Sequence, residues 1–168
     1  QQSELQRMAV EDFLTGLYNR RYLHTYLAQE YARSRRHARP LTVAIGDLDG
    51  FKAVNDFVSH EAGDRVLRQI AGILKETVRV SDVVGRYGGD EFVIVFPETS
   101  AESARVVCER IRATLEERIW EELGEDFHLT VSFGLCDDLT PENHEKMLAA
   151  ADEKLHEAKQ AGRNLVLA

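Results

Sequence analysis

The chain has 168 residues, 43% hydrophobic and 30% charged, with 29 acids against 21 lysines and arginines for a net charge of −8. That length suits one globular domain burying about 70% of its unfolded surface, and the negative charge argues against a nucleic-acid backbone as a partner. No apolar run approaches the ~18 residues of a membrane span, so this fragment is expected to make no membrane contact and to be cytoplasmic. Cys108 and Cys136 fall in an apolar helical pattern and at a strand end. Both positions suit small buried hydrophobes in a reducing compartment, without a disulfide.

Residues 1–11 read as a polar helix with Leu5, Met8 and Ala9 on one side, like the tail of a signalling helix running on from an upstream regulatory domain. Its start lacks the basic-then-apolar order of a signal peptide. Glu11 to Gly16 breaks the helix, and Asn19 is placed to cap a second one carrying Tyr22, Leu23, Tyr26, Leu27 and Tyr31 at helical spacing. The arginines 33, 35, 36 and 39 fall where that helix ends, where cations favour the dipole. Leu41 to Leu48 predicts a buried strand ending in Asp47 and Asp49, followed by a loop. Leu67, Ile70, Ala71, Leu74 and Val78 lie on one face of a helix over 65–78. Then come a hairpin around Gly88-Gly89, a helix marked by Ala104, Val107, Cys108, Ile111, Leu115 and Ile119, a strand from Phe127 to Leu135, a helix carrying Met147 to Ala158 and a short strand at 165–167. This order, βαββαβαβ after two leading helices, predicts an α+β fold with a mixed central sheet flanked by helices.

The hairpin carries the chemistry. Val83, Val84 and Tyr87 precede the two glycines and Phe92 to Phe96 follow them, the pattern of a tight two-glycine turn. Directly behind sit Asp90 and Glu91, where strand propensity asks for neither. Glycine without a Cβ also lets a large ligand approach the backbone.

Gly88-Gly89-Asp90-Glu91-Phe92 resembles the signature of the GGDEF domains, the bacterial diguanylate cyclases. Similar blocks are Asp12-x-Leu14-Thr15-Gly16-Leu17-Tyr18-Asn19-Arg20-Arg21, Asp47-Leu48-Asp49-x-Phe51-Lys52-x-x-Asn55-Asp56, His60-x-x-Gly63-Asp64, Thr130-Val131-Ser132-x-Gly134 and Ala158-Lys159-x-x-Gly162-Arg163-Asn164. The resemblance implies a catalytic domain over 12–168 with a nucleotidyl-cyclase, palm-like sheet. It also implies condensation of two GTP into cyclic di-GMP and two pyrophosphates. Cyclic di-GMP has two-fold symmetry and the chain has one set of blocks, so a homodimer presenting one GTP per protomer is expected. A sensory or receiver domain is implied upstream. The alternative is an inactive GGDEF module acting as a receptor for nucleotide or cyclic di-GMP.

If the strands ending at Asp47 and at the hairpin are neighbours, their carboxylates converge, and charges ~5 Å apart repel by roughly 3 kcal/mol at an effective dielectric of 20. A cation belongs between them. Oxygen donors alone suit Mg²⁺, with Mn²⁺ an alternative. By resemblance, Asp47, the Leu48 carbonyl, Asp90 and Glu91 handle two ions, and Asp90 or Glu91 helps deprotonate the attacking 3′-hydroxyl. Lys52, Lys159 and Arg163 match residues that contact the triphosphate, beside the backbone amides of residues 50–53. Asn55 and Asp64 match readers of guanine, and Phe51, Asp56, Gly88 and Gly89 complete the substrate-binding set. Arg79-Val80-Ser81-Asp82 matches an inhibitory product site, with Arg110 as its secondary arm.

Other chemistries fail on inspection. His60-Glu61 begins a zincin pattern, but the position that needs histidine is Asp64, and no phosphate-binding P-loop or nucleophile elbow occurs. Four positions depart from the family pattern: Ser59 where glycine usually precedes the histidine, Gly46 before Asp47, Phe133 for isoleucine and His156 for tyrosine. The last two are expected to be packing changes.

Overall fold

Leu41–Asp49 (β1) lies at the centre of the sheet because both of its faces are apolar. A computed structural model describes residues 3–125 and 127–168. In it β1 is joined by β2 (Val83–Arg86), β3 (Glu91–Pro97), β4 (Thr130–Cys136) and β5 (Val166–Leu167), in the order β2-β3-β1-β4-β5. All neighbours are antiparallel except β4 and β5, so the sheet is mixed, as the element order predicts. Ala44 and Leu48 enter a core with α3 (Phe51–Phe57), α4 (His60–Thr77) and α5 (Ala101–Glu117). Val43 and Ile45 enter a second core with α2 (Arg20–His37) and α6 (His144–Gln160). Two-sided burial explains why β1 reads as a continuous apolar run and not as an alternating one.

Three helices open on side-chain caps, the first at Asn19 as expected. Asn19 accepts from the Tyr22 amide at 2.8 Å, Ser59 from Ala62 at 3.0 Å and Asn143 from Lys146 at 3.0 Å. Ser59 therefore starts α4 five residues ahead of the expected helix, a use that the usual glycine lacks. The loop expected after Asp49 is also helical. Gly50, at φ 82°, turns the chain into α3, whose Phe51 and Val54 are buried. Seven residues give too few repeats for a periodicity to show in sequence. At the other end of the chain α5 stops at Glu117, leaving Ile119 exposed, and a 3₁₀ turn over Glu121–Leu123 follows the buried Trp120.

Several glycines set close approaches. A Cβ on Gly46 would lie 2.5 Å from the ring of Phe133, its neighbour on β4, so these two departures from the family pattern compensate each other. A Cβ on Gly134 would strike the backbone of α6 at Ala151 and Leu155, and the contact it permits brings Lys159 to the end of β1. A Cβ on Gly63 would strike the Asn55 side chain, which lies against α4 there. His156 is exposed on α6, so it is not a packing change. Cys108 and Cys136 are free thiols. No described helix is long and apolar enough to cross a membrane.

Candidate active site

The central place of β1 brings neighbours to Asp47 from both sides: Glu91 on β3 and Ser132 on β4 stand directly opposite. The Leu48 amide donates to the Asp90 carbonyl at 3.1 Å, locking the hairpin base to β1. One Asp47 oxygen, Oδ2, lies 3.2 Å from Lys159 Nζ, and the other, Oδ1, is buried with no hydrogen-bond partner. Burial, then the charges of Asp90 and Glu91, push the Asp47 carboxyl up to about 6. Burial, then Asp152 and Asp90, push Glu91 upward as well. An unpartnered carboxylate oxygen beside two further acids has the donor chemistry that a hard divalent cation takes. Among the described residues no three such side chains meet at ligand distance, and the ammonium of Lys159 is the cation paired with Asp47.

The hairpin differs from the two-residue turn expected. Tyr87 to Asp90 form a four-residue loop, closed by the Tyr87 amide on the Glu91 carbonyl at 2.8 Å, and neither glycine has positive φ. A Cβ on Gly88 would lie 2.8 Å from Glu91 Oε1, so a side chain there would displace the Glu91 carboxylate. A Cβ on Gly89 would meet nothing within 4 Å, so its backbone is open to a ligand. Arg86 fixes the loop from beneath. Its guanidinium donates to the Gly89 carbonyl at 2.8 Å and pairs with Asp12 at 3.3 Å. Burial opposes ionisation of Asp12, but Thr15 and Arg86 outweigh it and hold the carboxyl below its ordinary value.

On the α3/α4 side a pocket of about 290 Å³ gathers Phe51, Lys52, Asn55, Asp64, Gly89 and Asp90. Five of the expected substrate residues thus come together with Asp90, an expected metal and catalytic residue. Asp56 is exposed on α3 and does not line the pocket. Lys159 stands on the opposite face of the sheet with Asp47, and Arg163 follows it in an exposed turn at φ 67°. Expected phosphate and guanine residues thus flank the same end of β1 from its two sides.

Arg79 and Asp82 lie apart, between α4 and β2, lining a pocket of about 390 Å³ with Lys75, Tyr18 and Val84. The Asp82 side chain is fully buried and accepts from the Arg79 amide at 2.9 Å, so it caps its own turn. The Arg79 guanidinium is 3.6 Å from Asp82 and donates to Thr99 Oγ1. Arg110 is exposed on α5 and, among the described residues, forms no ion pair with Asp82.

Sequence reasoning gave no role to Arg86, Asp152 or Asp49. Asp49 had a readable signal. Thr130 and Ser132 alternate on β4 as Asp49 and Asp47 do on β1, and the register sets the two polar pairs face to face. Asp152 had none, because its approach to Glu91 depends on how α6 crosses the sheet.

Residues 9–165 match the family model described as "Diguanylate cyclase, GGDEF domain". The chain is 42% identical over 156 residues to diguanylate cyclase DosC of Escherichia coli K12, a match covering 92% of this chain and 34% of that protein. It is 42% identical over 156 residues to diguanylate cyclase DgcP of Pseudomonas aeruginosa, covering 93% of this chain and 23% of that protein. The coiled coil and GGDEF domain of DgcB from Caulobacter crescentus, solved in complex with c-di-GMP, superposes with a TM-score of 0.92 at 30% identity, covering 98% of this chain and 88% of that one. The chain therefore spans about a third of DosC and less than a quarter of DgcP.

Proposed function

Since the chain belongs to the GGDEF-domain family of diguanylate cyclases, we propose that it condenses two GTP into cyclic di-GMP and two pyrophosphates. The observation that carries this is the unpartnered Asp47 Oδ1 at the strand end that Asp90, Glu91 and Lys159 share. A receptor that merely held nucleotide would gain nothing from three mutually repelling carboxylates there.

Asp47, the Leu48 carbonyl, Asp90 and Glu91 would hold two Mg²⁺, or Mn²⁺. Such ions neutralise charge at phosphorus and make a hydroxyl more acidic. Asn55 and Asp64 recognise guanine in the α3/α4 pocket, where an amide and a carboxylate match the acceptor O6 and the donors N1 and N2. Lys52 lines that pocket and Lys159 lies across β1 from it, so the triphosphate would run over the end of β1 towards Lys159 and Arg163. Glu91 takes the proton of the attacking 3′-hydroxyl, and the burial and neighbouring acids that raise its pKa favour proton uptake. Asp90 serves the ions on the other side of the same hairpin.

A homodimer supplies the second GTP, one per protomer, because each chain carries one such site. Product binds at Arg79 and Asp82, with Arg110 as a secondary contact, and inhibits. Residues 1–11 link the catalytic domain over 12–168 to an upstream sensory or receiver domain. In support, α1 (Glu4–Val10) leaves Leu5 79% and Met8 69% exposed, a stripe suited to a partner helix. Incubation with GTP and Mg²⁺ followed by chromatography tests the central claim. Cyclic di-GMP and pyrophosphate are the expected products, and unchanged GTP would refute it.

A further inference from the structure

Asp49 stands two residues beyond Asp47 on the same face of β1, and the roles proposed so far leave it none. It is 6% exposed. Its carboxylate accepts from Thr130 Oγ1 at 2.7 Å, Ser132 Oγ at 3.0 Å, the Asn164 amide at 3.1 Å and Lys159 Nζ at 2.6 Å. Burial works against its ionisation, but the hydrogen bonds from Lys159 and Thr130 prevail and hold its pKa below the ordinary value. Two hydroxyls and an amide fix the rotamer, and among the described residues the ammonium is the one charged partner.

Lys159 has a choice of two carboxylates, 2.6 Å away at Asp49 and 3.2 Å away at Asp47. The shorter, more buried charge-assisted bond is the stronger. Asp49 also bonds the amide that directly follows Arg163, in a turn where Gly162, Arg163 and Asn164 all have positive φ. Two consecutive non-glycine residues in that region need outside support, and the amide bonds of Asn164 to Asp49 and to Ser132 Oγ supply it.

We propose that Asp49 is a positioning residue for triphosphate binding: it anchors the Lys159 ammonium and, through the Asn164 amide, the turn that carries Arg163, leaving Asp47 for the metal. Asp49 has this role only if Lys159 and Arg163 bind the triphosphate as proposed above. When its charge is removed, the ammonium falls back on Asp47 and competes there with the divalent ion.

Calorimetric binding of a non-hydrolysable GTP analogue across a Mg²⁺ titration, on wild type, Asp49→Asn, Lys159→Met and the double variant, tests this. Asp49→Asn should weaken the analogue by about 10- to 100-fold, as expected for one charge-assisted bond, and raise the half-saturating Mg²⁺. Guanosine affinity and cooperative melting should stay as in wild type. Lys159→Met should abolish the Mg²⁺ shift, and the double variant should bind no worse than Lys159→Met by more than about threefold. Additive losses, or a guanosine loss equal to the analogue loss, would mean a structural role and overturn the inference, as would unchanged analogue binding. If Asp49→Asn fails to melt cooperatively, Ser132→Ala and Thr130→Val take its place. They keep the charge while loosening it, and should each cost the analogue about 3- to 10-fold; no loss in either also overturns the inference. Wild type that binds no analogue sinks the cyclase assignment itself, whereas wild type that binds while Asp49→Asn is unaffected sinks only the role of Asp49.

Discussion

Asp47→Asn should stabilise the metal-free fold while destroying function. The folded-state carboxyl sits at about 6 against an ordinary 3.8, raised by burial and then by Asp90 and Glu91. A raised pKa means that the folded state binds the proton more tightly than the unfolded chain. Stability is therefore lost as pH climbs from about 4 through about 6, and the penalty is complete above that. Two pH units correspond to about 3 kcal/mol at most. The side chain is 25% exposed, so solvent screening reduces this to about 1.5 kcal/mol. The favourable contact to Lys159 is already contained in that shift. A net gain of about 1.5 kcal/mol raises Tm by roughly 3–6 °C in a domain of this size. Thermal melts in EDTA at about pH 8 and about pH 5 read the effect, which should shrink at the lower pH. Added Mg²⁺ should raise the wild-type Tm and not that of the variant. A variant that melts below wild type at pH 8, or a difference that ignores pH, would refute the electrostatic account of the site.

Asp90→Asn and Glu91→Gln should each abolish turnover while the fold survives, and wild-type product formation by either would sink the metal and base assignments. Specific activity should climb with protein concentration until dimers saturate; a flat profile where sedimentation shows monomers would argue for another mechanism. Arg79→Ala should relieve inhibition by cyclic di-GMP without lowering the initial rate, because Arg79 lies outside the active-site pocket. Equal inhibition constants for it and wild type would remove the product site, and a large fall in basal rate would mean that Arg79 does other work.

The fold was legible because its elements are long and their periods clean. The stripe of α4 and the two-sided run of β1 admit one architecture once the hairpin is seen between helices. What was hidden depended on approach in space. Gly46 read only as a departure from the family pattern, and its reason is the Phe133 ring lying over it. The two hairpin glycines suggested a tight primed turn, yet their use is clearance for Glu91 at Gly88 and an open backbone at Gly89. The residues proposed for the site were implied by the family resemblance, but their division between the two faces of the sheet was not. That division follows from strand alternation at Asp47 and Leu48 combined with where α3 and α6 arrive. The buried Asp82 carboxylate was equally invisible, since Arg-x-x-Asp at a helix end usually lies in solvent.

The segment entering the domain also closes the open side of β2. Tyr18 donates from its amide to the Val84 carbonyl at 3.2 Å and accepts from the Arg86 amide at 2.9 Å, occupying the outer edge of the hairpin strand. Uncovered strand edges template pairing between chains. A chain shortened past Tyr18 would expose the Val84 carbonyl and the Arg86 amide on an apolar four-residue strand, next to the loop that bears Asp90. Its characteristic failure would be edge-to-edge aggregation, aggravated by the loss of the buried Leu17 from the core at the same cut.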